Sequence, residues 1–215
     1  MIVMGLDISL NCTGICILSH DRVEYHTEII PVEYIEGKTT KGKKVLLKGL
    51  KRQLFIVNQI ELILDLYKPD YVAIENYSFG SKGRAVIQLG ELGGIIRFLL
   101  TKRNINFQTF SPQTLKSFAL GHLDLPKRIN NLSDKEKGVA RKESKSLMLR
   151  EAIASGRVKF RTDNSADAYW LSFIKLCIEK KKIGLDVVKL NDHQKEIIER
   201  WKNIEPEEVK LREDF

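Results

Sequence analysis

The chain predicts an α/β fold: a mixed sheet flanked by helices, with three antiparallel strands at the N-terminus and parallel strands added beside them. Three observations lead there. Ile2–Asp7 and Gly14–Leu18 are apolar runs joined by a polar turn, and Val23–Ile30 alternates enough to form a third strand before Pro31 interrupts it. Val45–Tyr67 then carries Leu47, Leu50, Leu54, Val57, Ile60, Leu64 and Tyr67 at spacings of three and four, the period of a helix. Lys68-Pro69-Asp70 stops that helix, and Tyr71–Ile74 is a short apolar strand ending in Glu75. Such a crossover sets the new strand parallel to the first and brings Glu75 near Asp7.

The length of 215 residues suits one domain with a small appendage, here residues 1–180 with a helical tail over 181–215. With 43% hydrophobic residues the chain can bury a core. No run approaches the roughly 18 apolar residues of a membrane helix, and the N-terminus reads as a strand without a basic leader. A cytoplasmic protein with no membrane partner is expected. Cys12, Cys16 and Cys177 are odd in number and lie in apolar segments, which suits core thiols in a reducing compartment better than disulfides or a zinc site.

Net charge is +8, and it is uneven. Lys195–Phe215 has five basic against seven acidic residues, a balance of −2, leaving +10 on residues 1–194. That excess favours a polyanion, most simply nucleic acid. Glu36–Gly42 reads as a polar loop, and Lys38, Lys41, Lys43, Lys44, Lys48, Lys51 and Arg52 place seven cations in fifteen positions. They suit either phosphate contact or a solvated surface. Asn76–Arg84 reads as a loop mixing Tyr77 and Phe79 with Lys82 and Arg84, suited to stacking on an unpaired base with phosphate contact.

Ala85–Leu100 predicts an apolar helix interrupted by Gly90, Gly93 and Gly94. Each interior glycine costs about 1 kcal/mol relative to alanine, so a close backbone approach, to the sheet or to a second copy, should compensate. Asn106–Phe110 is another strand, and Ser111-Pro112-Gln113-Thr114 opens a helix over Leu115–Leu120 with proline in its first turn. His122–Lys145 is polar, with Lys127, Arg128, Lys135, Lys137, Arg141, Lys142 and Lys145, and reads as a basic insertion ordered on binding. Helices follow over Ser144–Ser155, from about Asp163 to Ile178, and over Asp192–Lys202.

Four carboxylates stand out. Asp7 lies in an apolar strand, where a buried carboxylate must be protonated or neutralised by a cation. Glu75 ends the strand expected beside it. Asp163 and Asp167 are four apart at a helix start, and the face of Asp167 continues through Trp170, Leu171, Ile174 and Ile178, all apolar. Asp163 also suits an N-cap, a role that does not explain Asp167. If the four converge, their repulsion demands cations, and all-oxygen ligands select hard ions such as Mg²⁺ or Mn²⁺.

Gly5-Leu6-Asp7 through Thr13-Gly14, and the block Tyr67-Lys68-Pro69-Asp70-Tyr71-Val72-Ala73-Ile74-Glu75, resemble RuvC-type Holliday junction resolvases. So do Leu89-Gly90 with Gly94, Ser111-Pro112 with Leu115-Lys116, and Ala166-Asp167-Ala168, in the right order over residues 1–178. The resemblance implies an RNase H-like sheet, a homodimer through the 85–100 helix, and paired Mg²⁺-dependent nicks in four-way DNA junctions. It implies Asp7, Glu75, Asp163 and Asp167 as catalytic ligands of Mg²⁺, for which Mn²⁺ substitutes, with two ions per site. Lys116, Lys142 and Lys145 would approach the scissile backbone.

The sequence departs from the family pattern in three places. The family has an acidic residue or His three positions before the last Asp, where this chain has Asn164; either the helix start is shifted so that Asp163 ligates, the favoured reading, or Asn164 is a weak ligand. Ser78 stands where the family has a stacking aromatic, with Phe79 next to it. The longer insertion and tail suggest a divergent branch in the bacterial cytosol, a bacteriophage origin being one option. The competing reading is a branched-DNA-binding protein with weak or no cleavage. A third reading, ranked last, takes Asp7 through Gly14 as the phosphate loop of an actin-like sugar kinase or ATPase; that fold needs two such domains and a second glycine-rich phosphate motif, and ATP binding would revive it.

Overall fold

A computed structural model of the chain describes residues 1–19, 22–35, 43–76, 84–121, 123, 134–155, 162–187 and 190–204. Strands β1 (Ile2–Asp7), β2 (Thr13–Ser19), β3 (Arg22–Ile29), β6 (Tyr71–Glu75) and β7 (Asn106–Phe110) form one sheet in the order β3-β2-β1-β6-β7. The first three pair antiparallel, while β1, β6 and β7 run parallel, as the crossover argument requires. The chain between β1 and β6 is bridged by α1 (Gly49–Tyr67), and that between β6 and β7 by α2 (Arg84–Lys102).

Alternation along the strands divides the core into two layers. Met4, Leu6, Ile15, Ile17, Val72 and Ile74 face α1 and α2, packing with Ile56, Ile60, Leu92 and Ile96. Val3, Cys16, Leu18, Ala73 and Phe110 face the other side, where α3 (Pro112–Leu120), α4 (Asp134–Ala154), α5 (Asp163–Lys182) and α6 (Asp192–Trp201) gather. Gly5, Asp7, Gly14 and Glu75 share the parity of this second layer.

Helix α5 lies at its centre, with every residue from Ser165 to Glu179 buried. A Cβ on Gly5 would stand 1.9 Å from the Ala168 carbonyl oxygen, and one on Gly14 would stand 2.2 Å from the Asn164 carbonyl oxygen. Both contacts are with helix backbone, which cannot rotate aside. The two glycines are therefore what lets α5 lie flat on β1 and β2. Even the charge at the far end of α5 is satisfied: Lys175, fully buried, reaches Glu179 at 2.6 Å and Gln108 at 3.1 Å.

Three expectations need correction. The α1 pattern begins four residues late, because Lys43–Leu46 forms β5 against β4 (Val32–Ile35) in a separate two-stranded sheet. Leu50 and Leu54 are consequently exposed, and Gln53 and Ile56 take the inner face. The basic insertion is helical from Asp134, ten residues before the expected start at Ser144. Its Lys, Glu, Arg and Ala residues are good helix formers, and burial of Met148 and Ala152 against α5 suffices to dock it. Cys12 is half-buried in the β1–β2 loop, unlike the core thiols Cys16 and Cys177.

Helix α6 packs on α3 and α5. Gln194 donates to the Phe118 carbonyl at 3.0 Å, His193 shares a hydrogen bond with Ser117 at 2.9 Å, and Trp201 lies against Phe110.

Gly5→Ala should destabilise the fold by about 1–3 kcal/mol or more, the cost of overpacking against a backbone that cannot yield. Urea unfolding would measure it. An unchanged midpoint would mean that α5 does not press on β1.

Candidate metal centre

The parallel register of β1 and β6 pairs Leu6 with Ile74, so Asp7 and Glu75 follow side by side at the strand ends. Both face the layer that contains α5. Asp167, one turn into that helix, is 8% exposed, as is Asp7. One carboxylate oxygen of Asp167, Oδ1, is buried and lacks a hydrogen-bond partner. Asp7 and Glu75 are within hydrogen-bond reach of each other.

Burial and mutual repulsion set their acidity. Burial first, then the charge of Glu75, holds the Asp7 carboxyl well above the usual carboxylate range. Burial and then Asp167 raise Glu75. Burial and then Asp7 push Asp167 up to about 7. Lys116 on α3 and Lys145 on α4 oppose these shifts at Glu75 and Asp167, which places both ammonium groups close to the cluster.

Asp163 behaves differently. It is the first residue of α5, while Thr162 is the N-cap, accepting from the Ser165 amide at 3.4 Å. The Asp163 side chain is 41% exposed and accepts from Lys145 Nζ at 2.7 Å, a bond that holds its carboxyl below the usual range. Burial disfavours the Lys145 charge, but Asp163, Asp167 and Asp7 outweigh it and raise its pKa. Trp170, which donates to the Met148 carbonyl at 3.0 Å, fastens α4 to α5 near Lys145.

The donor set suits a hard divalent ion: oxygen-only, acceptor-only when ionised, mutually repelling, and including a buried Asp167 oxygen without a hydrogen-bond partner. Asp7, Glu75 and Asp167 are the side chains that would hold it, with Asp163 at the rim once released by Lys145. Among the described residues no three His, Cys, Asp or Glu side chains stand in a ready-made ligand cage, so closing around an ion takes rotamer adjustment.

The structure thus gathers Asp7, Glu75, Asp163, Asp167, Lys116 and Lys145. Lys142 is exposed on α4, and nothing ties it to the carboxylates. Phe79, Lys82, Lys127 and Arg128 lie outside the described residues, as do the side chains of Arg84 and Arg141. Sequence reasoning missed the Lys145–Asp163 pair and also Glu28, whose carboxylate accepts from Thr162 and Ser165 at the start of α5. A polar residue on an alternating edge strand carries no signal of what lies above it.

Residues 3–129 match the family Crossover junction endodeoxyribonuclease RuvC. The chain belongs to the RuvC family. It is 27% identical over 122 residues to the RuvC crossover junction endodeoxyribonuclease of Caldicellulosiruptor saccharolyticus, covering 57% of this chain and 69% of that one. The similarity to the RuvC of Rickettsia typhi is 26% over 182 residues, 84% of this chain and 99% of the relative. Among solved structures, Thermus thermophilus RuvC in complex with a Holliday junction substrate superimposes with a TM-score of 0.56 at 13% identity. That superposition covers 86% of this chain and 97% of the other. A second structure of T. thermophilus RuvC gives 0.54 at 15% identity, with the same coverage. These likenesses show the RNase H-like fold, and membership of the RuvC family makes the chain a nuclease of the crossover-junction class. Among the described residues, no helix is long and apolar enough to cross a membrane.

In the ion-free protein Asp167 keeps its proton to about pH 7, whereas an unfolded chain releases it near about 3.9. The folded state binds the extra proton between those values, so this group's stabilisation is full below about pH 4 and is lost as pH rises to about 7. Asp7 and Glu75 act in the same direction. Mg²⁺ should therefore raise the melting temperature more at pH 8 than at pH 5, and Asp167→Asn should remove most of that difference. Equal stabilisation by Mg²⁺ at both pH values would place ion binding elsewhere.

Proposed function

We propose that this chain is a Mg²⁺-dependent endonuclease that resolves four-way DNA junctions by paired nicks, with Asp7, Glu75, Asp167 and Asp163 holding two ions and Mn²⁺ able to substitute. The observation that carries this is the burial of Asp7, Glu75 and Asp167 together at one sheet edge, with an orphaned Asp167 oxygen and the basic side chains Lys116 and Lys145 beside them. When bound there, divalent ions supply Lewis acidity for phosphodiester hydrolysis and neutralise charge on the leaving oxygen. Lys116 and Lys145 would meet the scissile phosphate, a role supported by their closeness to the carboxylates. Lys142, Arg141, Lys127 and Arg128 extend that contact along the insertion. Phe79, Lys82 and Arg84 serve the strand exchange point by stacking and phosphate contact.

The α2 surface supports a homodimer. Its inner face packs Leu92, Ile96 and Leu100 into the core, while Ile87 and Phe98 are 65% and 62% exposed. Between them, Gly90 and Gly94 meet nothing within 4 Å of an added Cβ, so the sheet is not what they approach. A second copy of the helix can cross there at close range. A cleft of about 590 Å³ flanks this face, lined by Leu50, Gln53, Gln88, Glu91, Gly94 and Ile95, with none of Asp7, Glu75, Asp163 and Asp167 in its lining. Two copies bring two sites to one junction, which paired nicks need.

The decisive assay compares a labelled four-way junction with a linear duplex of the same sequence, in Mg²⁺ and in EDTA. Metal-dependent paired nicks in the junction are expected, falling about 100-fold or more in Asp7→Asn while junction binding persists. Tight binding without cleavage by the wild type would leave a branched-DNA-binding protein instead. For the dimer, Gly94→Leu should yield a monomer by light scattering without lowering the melting temperature, because leucine is the better helix former by up to about 1 kcal/mol. A dimer that survives the substitution would move the interface away from α2.

A further inference from the structure

We propose that Glu28 is a positioning residue for the carboxylate site, anchoring the first turn of α5 so that Asp163 and Asp167 are held over Asp7. This inference rests on the metal-dependent reading above. Glu28 lies on the edge strand β3, directly across from Gly14 of β2. Gly14 is where the Asn164 backbone comes down on the sheet, so the Glu28 side chain stands beside the α5 N-terminus, on the same face as Asp7.

The hydrogen bonds there form a closed set. Glu28 Oε1 accepts from the Thr162 hydroxyl and, at 3.1 Å, from the Ser165 hydroxyl. Thr162 Oγ1 lies 2.9 Å from Ser165 Oγ and still accepts from the Ser165 amide, as the N-cap. One carboxylate oxygen therefore collects two hydroxyl protons, and both hydroxyls belong to the turn that carries Asp163. The negative charge also sits where the helix dipole favours it. The Cys12 thiol, in the loop that follows Asp7, is within reach of both Asn164 and Glu28, so β1, β3 and α5 meet at this point.

Asp167 lies one turn further along. A helix start that slides or frays carries Asp163 out of range and tilts Asp167 away from Asp7 and Glu75. Among the described residues the Glu28 carboxylate is hydrogen-bonded to Thr162 and Ser165 and not to Asp7, Glu75 or Asp167. Its effect is transmitted through the Thr162 and Ser165 hydroxyls, as outer-shell hydrogen bonds orient metal ligands elsewhere.

The test uses Mn²⁺ alone, its binding to the DNA-free protein followed by the loss of the free-ion EPR signal, alongside junction cleavage. Glu28→Ala should weaken Mn²⁺ binding about tenfold and lower the cleavage rate at saturating junction by a similar factor, with the junction Kd within about twofold of wild type. Glu28→Gln keeps an acceptor oxygen and should recover most of both. Thr162→Val should match Glu28→Ala, and the double variant should be no worse than either single one, since both break the same link. Wild-type Mn²⁺ affinity in Glu28→Ala and Thr162→Val would overturn the proposal, and so would a Glu28→Gln protein as impaired as the alanine variant. Should the wild type fail to cut junctions, the nuclease reading fails, while the ion-binding comparison still decides the role of Glu28.

Discussion

The close contact of α5 with the sheet is the constraint on which the molecule depends. Helix backbone rests directly on Gly5 and Gly14, with the Ala168 and Asn164 carbonyls occupying the space that side chains would need. Two glycines in neighbouring strands thus set the depth and tilt of a helix that is buried all round from Ser165 to Glu179. The other elements of that layer follow from it. Helix α4 attaches through Trp170 and Tyr169, α3 packs Phe118 against Trp170 and Phe173, and α6 closes over α3. Because strand side chains alternate, the residues that share the face of Gly5 are Asp7 on the same strand and Glu75 on the next. The packing contact and the chemical site are therefore consequences of a single parity.

The same helix carries two buried sets of charge with opposite outcomes. At its C-terminal half Lys175 is enclosed but paired with Glu179 and hydrogen-bonded to Gln108, partners that offset in part the burial which lowers its pKa. At its N-terminal end Asp167 is enclosed with Asp7 and Glu75, all three are raised by burial and repulsion, and one oxygen finds no partner. Lys116 and Lys145 moderate that repulsion without cancelling it. The same fold that gives Lys175 its partners leaves one Asp167 oxygen without one, and a cation would supply the charge that is missing there.

Much of this was legible in the residues. The apolar runs around Asp7 and Glu75, joined by a periodic helix, were enough to order β2-β1-β6, since a strand–helix–strand crossover has one hand and one neighbour. The i, i+4 spacing of Asp163 and Asp167 ahead of an apolar face identified Asp167 as buried. Other features were misread for stated causes. Val45 and Leu46, the end of β5, fit the helical pattern that follows them, because so few residues do not distinguish a period of 3.6 from one of 2. The start of α4 looked too polar to be ordered, although only Met148 and its neighbours need to touch α5.

By itself the sequence determined the periods, and with them which residues can share a face: Asp7 with Gly5, Asp167 with Ile174, Ile87 with Gly94 and Phe98. Those relations are local, fixed by backbone geometry within a few residues. Only the tertiary structure decided which faces meet. It put Lys145 on Asp163, set Glu28 beneath Thr162 and Ser165, and left Gly90 and Gly94 uncovered while Gly5 and Gly14 lie under α5. Such pairings join residues distant in the chain, and they are settled by how deeply two surfaces can approach, a property that no periodicity records.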